Sequence, residues 1–110
     1  MNRAYELMII IDGDVEDPKA QAWMKTVTEA VTTAGGQLHG KIDWWGKRQF
    51  AYPINRKETG YYLVVEALAP GGALDGLERT LRLADEVVRH KLLKLPPIEA
   101  TRRGMSVDAA

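Results

Sequence analysis

Between Gly46 and Lys57, cations and aromatic rings share one short segment: Lys47, Arg48, Arg56 and Lys57 sit around Phe50 and Tyr52. Guanidinium and ammonium groups neutralise phosphate, and a tyrosine ring can stack on an unpaired base. The set is therefore one that could hold RNA. A hairpin with ordinary polar ends has the same composition, and on these residues alone the two readings stand even.

The other reactive residue types give less. Asp12, Asp14, Glu16 and Asp17 are close enough to suggest a cation site. They lack the later Gly and bidentate Glu of a calcium loop, so a solvated loop that caps a helix is the expected role. His39 and His90 fall on different predicted strands, without carboxylates at ligand spacing, and read as surface or sheet positions. Trp44 and Trp45 are neighbours, so on a strand they point to opposite faces, one into the core and one free to stack on a base or a partner protein. No G-x-S-x-G, phosphate-binding glycine loop or H-E-x-x-H occurs. Without Cys there is no disulfide framework, thiolate zinc site or cysteine nucleophile. No cofactor or metal site is expected.

These residues need elements to position them. Tyr5 to Ile11 reads as a strand, apolar on both faces and so central in its sheet. Asp17-Pro18 reads as a helix start, with Asp accepting from free N–H groups and Pro at the first helical position. Ala20, Trp23, Met24, Val27, Ala30, Val31 and Ala34 then recur at helical spacing, and the Trp23, Val27, Val31 stripe is core. Gly35-Gly36 stops the helix. Gln37 to Ile54 reads as one long strand, interrupted at Gly40 and Gly46 by bulges or bends. Asn55 to Gly60 is a polar turn, and Tyr61 to Ala67 is the next strand of a hairpin. Pro70-Gly71-Gly72 links to a second helix carrying Leu74, Leu77, Leu81 and Ala84. Val87 to Leu95 returns to strand, and Pro96-Pro97 ends it.

The order βαββαβ predicts an α+β, ferredoxin-like fold, a four-stranded antiparallel sheet with two helices on one face. Residues 1–95 are expected to form that domain and residues 96–110 a flexible C-terminal tail. Two helices cover only one side of the sheet, so an apolar open face is expected to meet a partner.

Fifteen Lys and Arg balance fifteen Asp and Glu in the 110 residues, giving zero formal net charge. That balance argues against a strong overall positive field. The distribution is uneven: Lys41 to Lys57 holds five bases against Asp43, and Arg79 to Lys94 holds five against Asp85 and Glu86. No apolar run nears the ~20 residues that span a bilayer. With no signal peptide at the N-terminus, the chain is expected to be cytoplasmic, with no membrane association.

The stretch Gly46-Lys47-Arg48-Gln49-Phe50-Ala51-Tyr52-Pro53-Ile54 resembles the signature of bacterial small-subunit ribosomal protein six. Arg3-Ala4-Tyr5-Glu6 is similar to that family's opening strand, and Gly60-Tyr61-Tyr62 to its third. Leu81 to Arg89 is similar to its second helix running into the last strand. The resemblance covers Arg3 to Leu95. Phe50 departs from the family's Leu, and the span from Gly36 to Gly46 is one residue longer, with Gly40 available to absorb it.

The resemblance implies a non-enzymatic constituent of the small ribosomal subunit, ribosome-bound. It further implies binding to the central domain of small-subunit ribosomal RNA as a pair with small-subunit ribosomal protein eighteen, with no small-molecule substrate. On that basis the RNA-facing groups are expected among Arg3, Lys47, Arg48, Tyr52, Arg56, Lys57, Arg82, Arg89 and Lys91, with Tyr52 equally placed to be core. The rival classes are a small dimeric ferredoxin-like enzyme, a monooxygenase or isomerase relying on His39 and His90, and a ligand-binding regulatory domain. A pocket lined by convergent polar groups would favour either.

Overall fold

Period-2 alternation decides the architecture. Along β1 (Asn2–Asp12), Tyr5, Leu7, Ile9 and Ile11 share one face while Ala4, Met8 and Ile10 share the other. Residues 2–105 are described by a computed structural model, in which β1 is central. It pairs antiparallel with β4 (Lys57–Pro70) on one side and with β5 (Val87–Lys94) on the other. The far edge of β4 takes β2 (Gln37–Leu38) and then β3 (Asp43–Ile54). The strand order is β2-β4-β1-β5, with β3 also on β4. β2 and β3 are therefore two pieces of one edge strand, and the sheet is the expected four-stranded ferredoxin-like one.

Gly40 sits in the break between the two pieces at φ +69°, a conformation that costs glycine little. Gly46, at φ +78°, marks a bulge where the register shifts between Trp44 and Gly46. Both interruptions expected from the sequence are present.

Helices α1 (Asp17–Thr33) and α2 (Asp75–Leu83) cover the face carrying the odd-numbered β1 residues. Ile9, Ile11, Leu63 and Val27 there are wholly inaccessible. Each such aliphatic side chain contributes about 1.5–3 kcal/mol by leaving water. The sequence left open which face is buried, since both are apolar; the helices settle it. Asp17 does not cap α1 as expected. Its carboxylate accepts from the Gln21 side-chain amide one turn on, and Glu16 occupies the cap position without a side-chain bond.

The opposite face departs from expectation. Instead of a flexible tail from residue 96, the chain turns back at Pro96 and forms a third helix, α3 (Pro97–Arg102). Proline's fixed φ stops a strand, but it suits the first turn of a helix equally well. Ala100 and Met105 pack onto Ala4, Leu68 and Leu95, closing one end of the open face. The last part of the expected tail, residues 106–110, lies outside the described residues.

Candidate nucleic-acid interface

The hairpin of β3 and β4 is longer and more irregular than a polar turn. Gln49 pairs with Thr59 and Ile54 with Lys57, so four residues, 50–53, stand opposite Glu58 alone. This bulge throws Tyr52 outward, 71% exposed, and folds Phe50 inward. Phe50 meets Tyr62 edge-on at 5.9 Å between ring centroids. Gly60 makes room for it: a Cβ there would stand 2.7 Å from Phe50 Cζ and 2.8 Å from Ile10 Cγ2. The turn itself is only Asn55 and Arg56, both at positive φ (50° and 66°), the geometry of a tight two-residue hairpin. The Asn55 amide donates to the Val88 carbonyl at 2.9 Å. Val88 is the residue that the register shift between Ile10 and Ile11 leaves out of the β1–β5 ladder. The hairpin tip is thereby fastened to the start of β5.

The neighbouring tryptophans separate as alternation requires. Trp44 stacks on Tyr61 on the helix side at 5.7 Å, and Trp45 stacks on Tyr62 on the open side at 5.5 Å. Trp45 remains 43% exposed. Tyr62, Ile10 and Arg89 form one cross-strand row, and Val64, Met8 and Lys91 form the next. The uncovered half of the open face is thus an aromatic and aliphatic surface with cations along its margin.

The nine residues expected to face RNA do not all come together. Arg48, Arg89 and Lys91 share the open face, with Arg48 Nε donating to the Trp45 carbonyl at 3.2 Å. Tyr52 and Arg56 project from the adjoining hairpin, and its exposure removes Tyr52 from the core. Lys57 is ion-paired, its ammonium 3.0 Å from Asp12 and 3.9 Å from Asp14. Burial pushes the Asp12 carboxyl up, but the Asp14 N–H and the Lys57 ammonium together bring it below the usual range. The same hydrogen bond to Asp12 raises the Lys57 ammonium.

Lys47 points the other way, its ammonium 6.0 Å from the centre of the Tyr61 ring. Arg82 sits on α2, held by Glu78 at 3.4 Å. Arg3 lies at the far end of β1, opposite Ala69. Arg3, Lys47, Arg48, Arg56, Arg89 and Lys91 make no ion pair among the described residues.

Sequence reasoning passed over Lys94, which lines a groove with Arg3 at the end of β5. The signal was present, since β5 (VVRHKLLK) contains no acid at all.

Pockets that would suit the rival classes are poor. A 330 Å³ depression lined by Lys19, Ala22, Trp23, Thr26 and Glu86 is shallow, and two of its polar groups are bound to each other, Trp23 Nε1 donating to Glu86 at 3.0 Å. His39 is engaged, its Nε2–H donating to the Arg103 carbonyl at 3.0 Å, and His90 lies on β5 opposite Ile9. Among the described residues no His, Asp and Glu group is arranged to hold a metal, and no helix is long and apolar enough to cross a membrane.

Comparison with known proteins gives a consistent result. Residues 4–94 match the family model described as ribosomal protein S6. The small ribosomal subunit protein bS6 of Corynebacterium aurimucosum is 40% identical over 92 residues, covering 84% of this chain and 95% of the relative. Its counterpart in Carboxydothermus hydrogenoformans is 36% identical over 94 residues, covering 86% and 97%. The crystal structure of 30S ribosomal protein S6 from Thermotoga maritima superposes with a TM-score of 0.83 at 27% identity, covering 94% of this chain and 97% of that one.

Proposed function

Since the chain belongs to the ribosomal protein S6 family, whose members are structural and non-enzymatic constituents of the small ribosomal subunit, we propose that it binds the central domain of small-subunit ribosomal RNA together with small-subunit ribosomal protein eighteen. The observation that carries the RNA reading is the unpaired state of Arg48, Arg56, Arg89 and Lys91 around one hairpin and one face. Free cations release counterions from phosphate, whereas Lys57 and Arg82 already have carboxylate partners and contribute less. Tyr52, fully presented by its bulge, stacks on or hydrogen-bonds to a base. Arg3 and Lys47 take part from outside this cluster, as further phosphate contacts.

The partner protein docks on the uncovered apolar half of the sheet, around Trp45, Tyr62, Val64, Met8 and Leu93. Zero net charge supports this division of labour, because a domain with no strong positive field gains from a basic partner. The test is the affinity of the purified chain for a transcript of the central domain, with and without protein eighteen. Binding that is stronger with the partner supports the reading; equal affinity in both conditions refutes the partnership.

A further inference from the structure

Strand β5 forms an outer edge of the sheet, paired only with β1, so its outward N–H and C=O groups have no strand partner. Its cations recur along that edge. Arg89 and Lys91 point to the open face and Lys94 to the helix side, opposite Tyr5. From Arg89 to Lys94 the edge runs about 17 Å at the ~3.3 Å rise of a strand. At its lower end Arg3, Lys94, Leu95, Pro96 and Pro97 line a groove of 210 Å³ with no carboxylate among them. At its upper end Asn55 fastens the cationic hairpin tip to Val88.

Four acids near the sheet's open face and the start of β5 are held by other side chains. Glu6 and Glu66 are held by Arg103, Glu99 by Arg102 and Arg103, and Glu86 by Trp23. Asp85, in the turn before β5, is an exposed carboxylate beside the edge, and Glu58 is exposed in the β3–β4 hairpin. Arg3, Arg89, Lys91 and Lys94 make no ion pair among the described residues.

We infer that the free edge of β5 is a track for the phosphodiester backbone of a single RNA strand, running from the hairpin tip to the Arg3–Lys94 groove, where a phosphate seats between the two cations. The inference rests on the RNA-binding reading above and extends it to a second contact at the opposite end of the sheet. Lys and Arg supply charge from both faces of the edge, and the unpaired backbone N–H groups are donors to phosphate oxygen. Such a track carries no base specificity. It sets the direction in which RNA leaves the hairpin.

The test compares wild type, Arg3→Gln/Lys94→Gln and Arg89→Gln/Lys91→Gln on a transcript of the central domain, in the presence of protein eighteen. Affinity is measured across a salt series by fluorescence anisotropy. All four side chains are exposed, so thermal unfolding should be unchanged and serves as the folding control. The slope of log affinity against log salt should fall in magnitude by roughly 1.4–1.8 in each double variant, about 0.7–0.9 per lost phosphate contact. A reduced slope for Arg89→Gln/Lys91→Gln with an unchanged one for Arg3→Gln/Lys94→Gln overturns the track and leaves the RNA reading intact. Salt-independent or absent binding by wild type overturns the RNA reading itself. If Arg3→Gln/Lys94→Gln weakens binding to protein eighteen while the RNA slope stays put, the groove holds protein and the inference fails.

Discussion

Glu6 and Glu66 are direct cross-strand partners on β1 and β4, and one guanidinium, Arg103, binds both carboxylates at 2.5 and 3.1 Å. Like charges placed opposite each other in a sheet repel. Here the repulsion is answered from outside the sheet, by the residue that caps the C-terminal end of α3. The hydrogen bonds to Glu6 and then Glu66 raise the Arg103 pKa further, so it stays charged at any physiological pH. With the His39 bond to its carbonyl and Met105 beneath, Arg103 is what keeps the C-terminal helix on the open face.

Replacing Arg103 by Gln should therefore free α3 and set the two glutamates against each other. Amide exchange at Ala100 and Met105, whose N–H groups bond to Pro96 and Ala100 carbonyls, should become much faster. Adding Glu66→Gln should recover part of the loss by removing the repulsion. Unchanged protection in Arg103→Gln would show that the apolar contacts alone hold the helix.

Gly60→Ala is expected to destabilise by about 1–3 kcal/mol, because its methyl group meets the Phe50 ring, the Ile10 side chain and the Ile11 carbonyl within 3.0 Å. Combining it with Phe50→Leu should return part of that loss, since the shorter side chain withdraws from the contact. Urea unfolding of the two single variants and the double variant measures the coupling. Simple additivity would mean that the glycine does not serve the ring.

Arg56 holds a left-handed conformation at φ 66°, which costs a non-glycine residue roughly 1–2 kcal/mol. Arg56→Gly gives the Asn-Gly pair that two-residue hairpins favour. It should gain a few tenths to about 1 kcal/mol in stability, the rest being offset by glycine's entropy in the unfolded chain. The same variant should bind RNA less tightly. A hairpin more stable yet poorer at binding would identify the strain at residue 56 as serving function.

The Asp12–Lys57 pair makes stability depend on pH at both extremes. The Asp12 pKa is lowered on folding, so its contribution is present above the unfolded value of ~3.9 and disappears as pH falls through the folded one. The Lys57 pKa is raised, so its contribution is complete below ~10.4 and is lost as pH rises through the folded value. In Lys57→Met the Asp12 carboxyl should titrate at higher pH, followed by NMR. An Asp12 titration that does not move would place its stabilisation in the Asp14 N–H alone.

The elements most legible in the sequence were those with strong periodicity. β1 was recognisable as central because both of its faces are apolar, and α1 from its stripe of Trp23, Val27 and Val31. The opposite facing of Trp44 and Trp45 followed from strand geometry once β3 was assigned. What sequence reasoning lost depended on single residues with two roles. Pro96-Pro97 ends a strand and also begins a helix, and six residues are too few to show a helical period. Asn55 to Gly60 looked polar enough to be all turn, but pairing with β1 and β3 extends β4 back to Lys57. For the interface, residue type located the cations, but only the register showed that Arg48, Arg89 and Lys91 share a face while Lys47 points away.

The most direct measurement is co-sedimentation of the tagged protein with small ribosomal subunits from its own cells through a high-salt wash, comparing wild type with Arg48→Glu/Arg89→Glu/Lys91→Glu. Near-stoichiometric recovery of wild type and loss of the folded triple variant is the expected result. Equal retention of both would contradict an RNA interface built on the open-face cations.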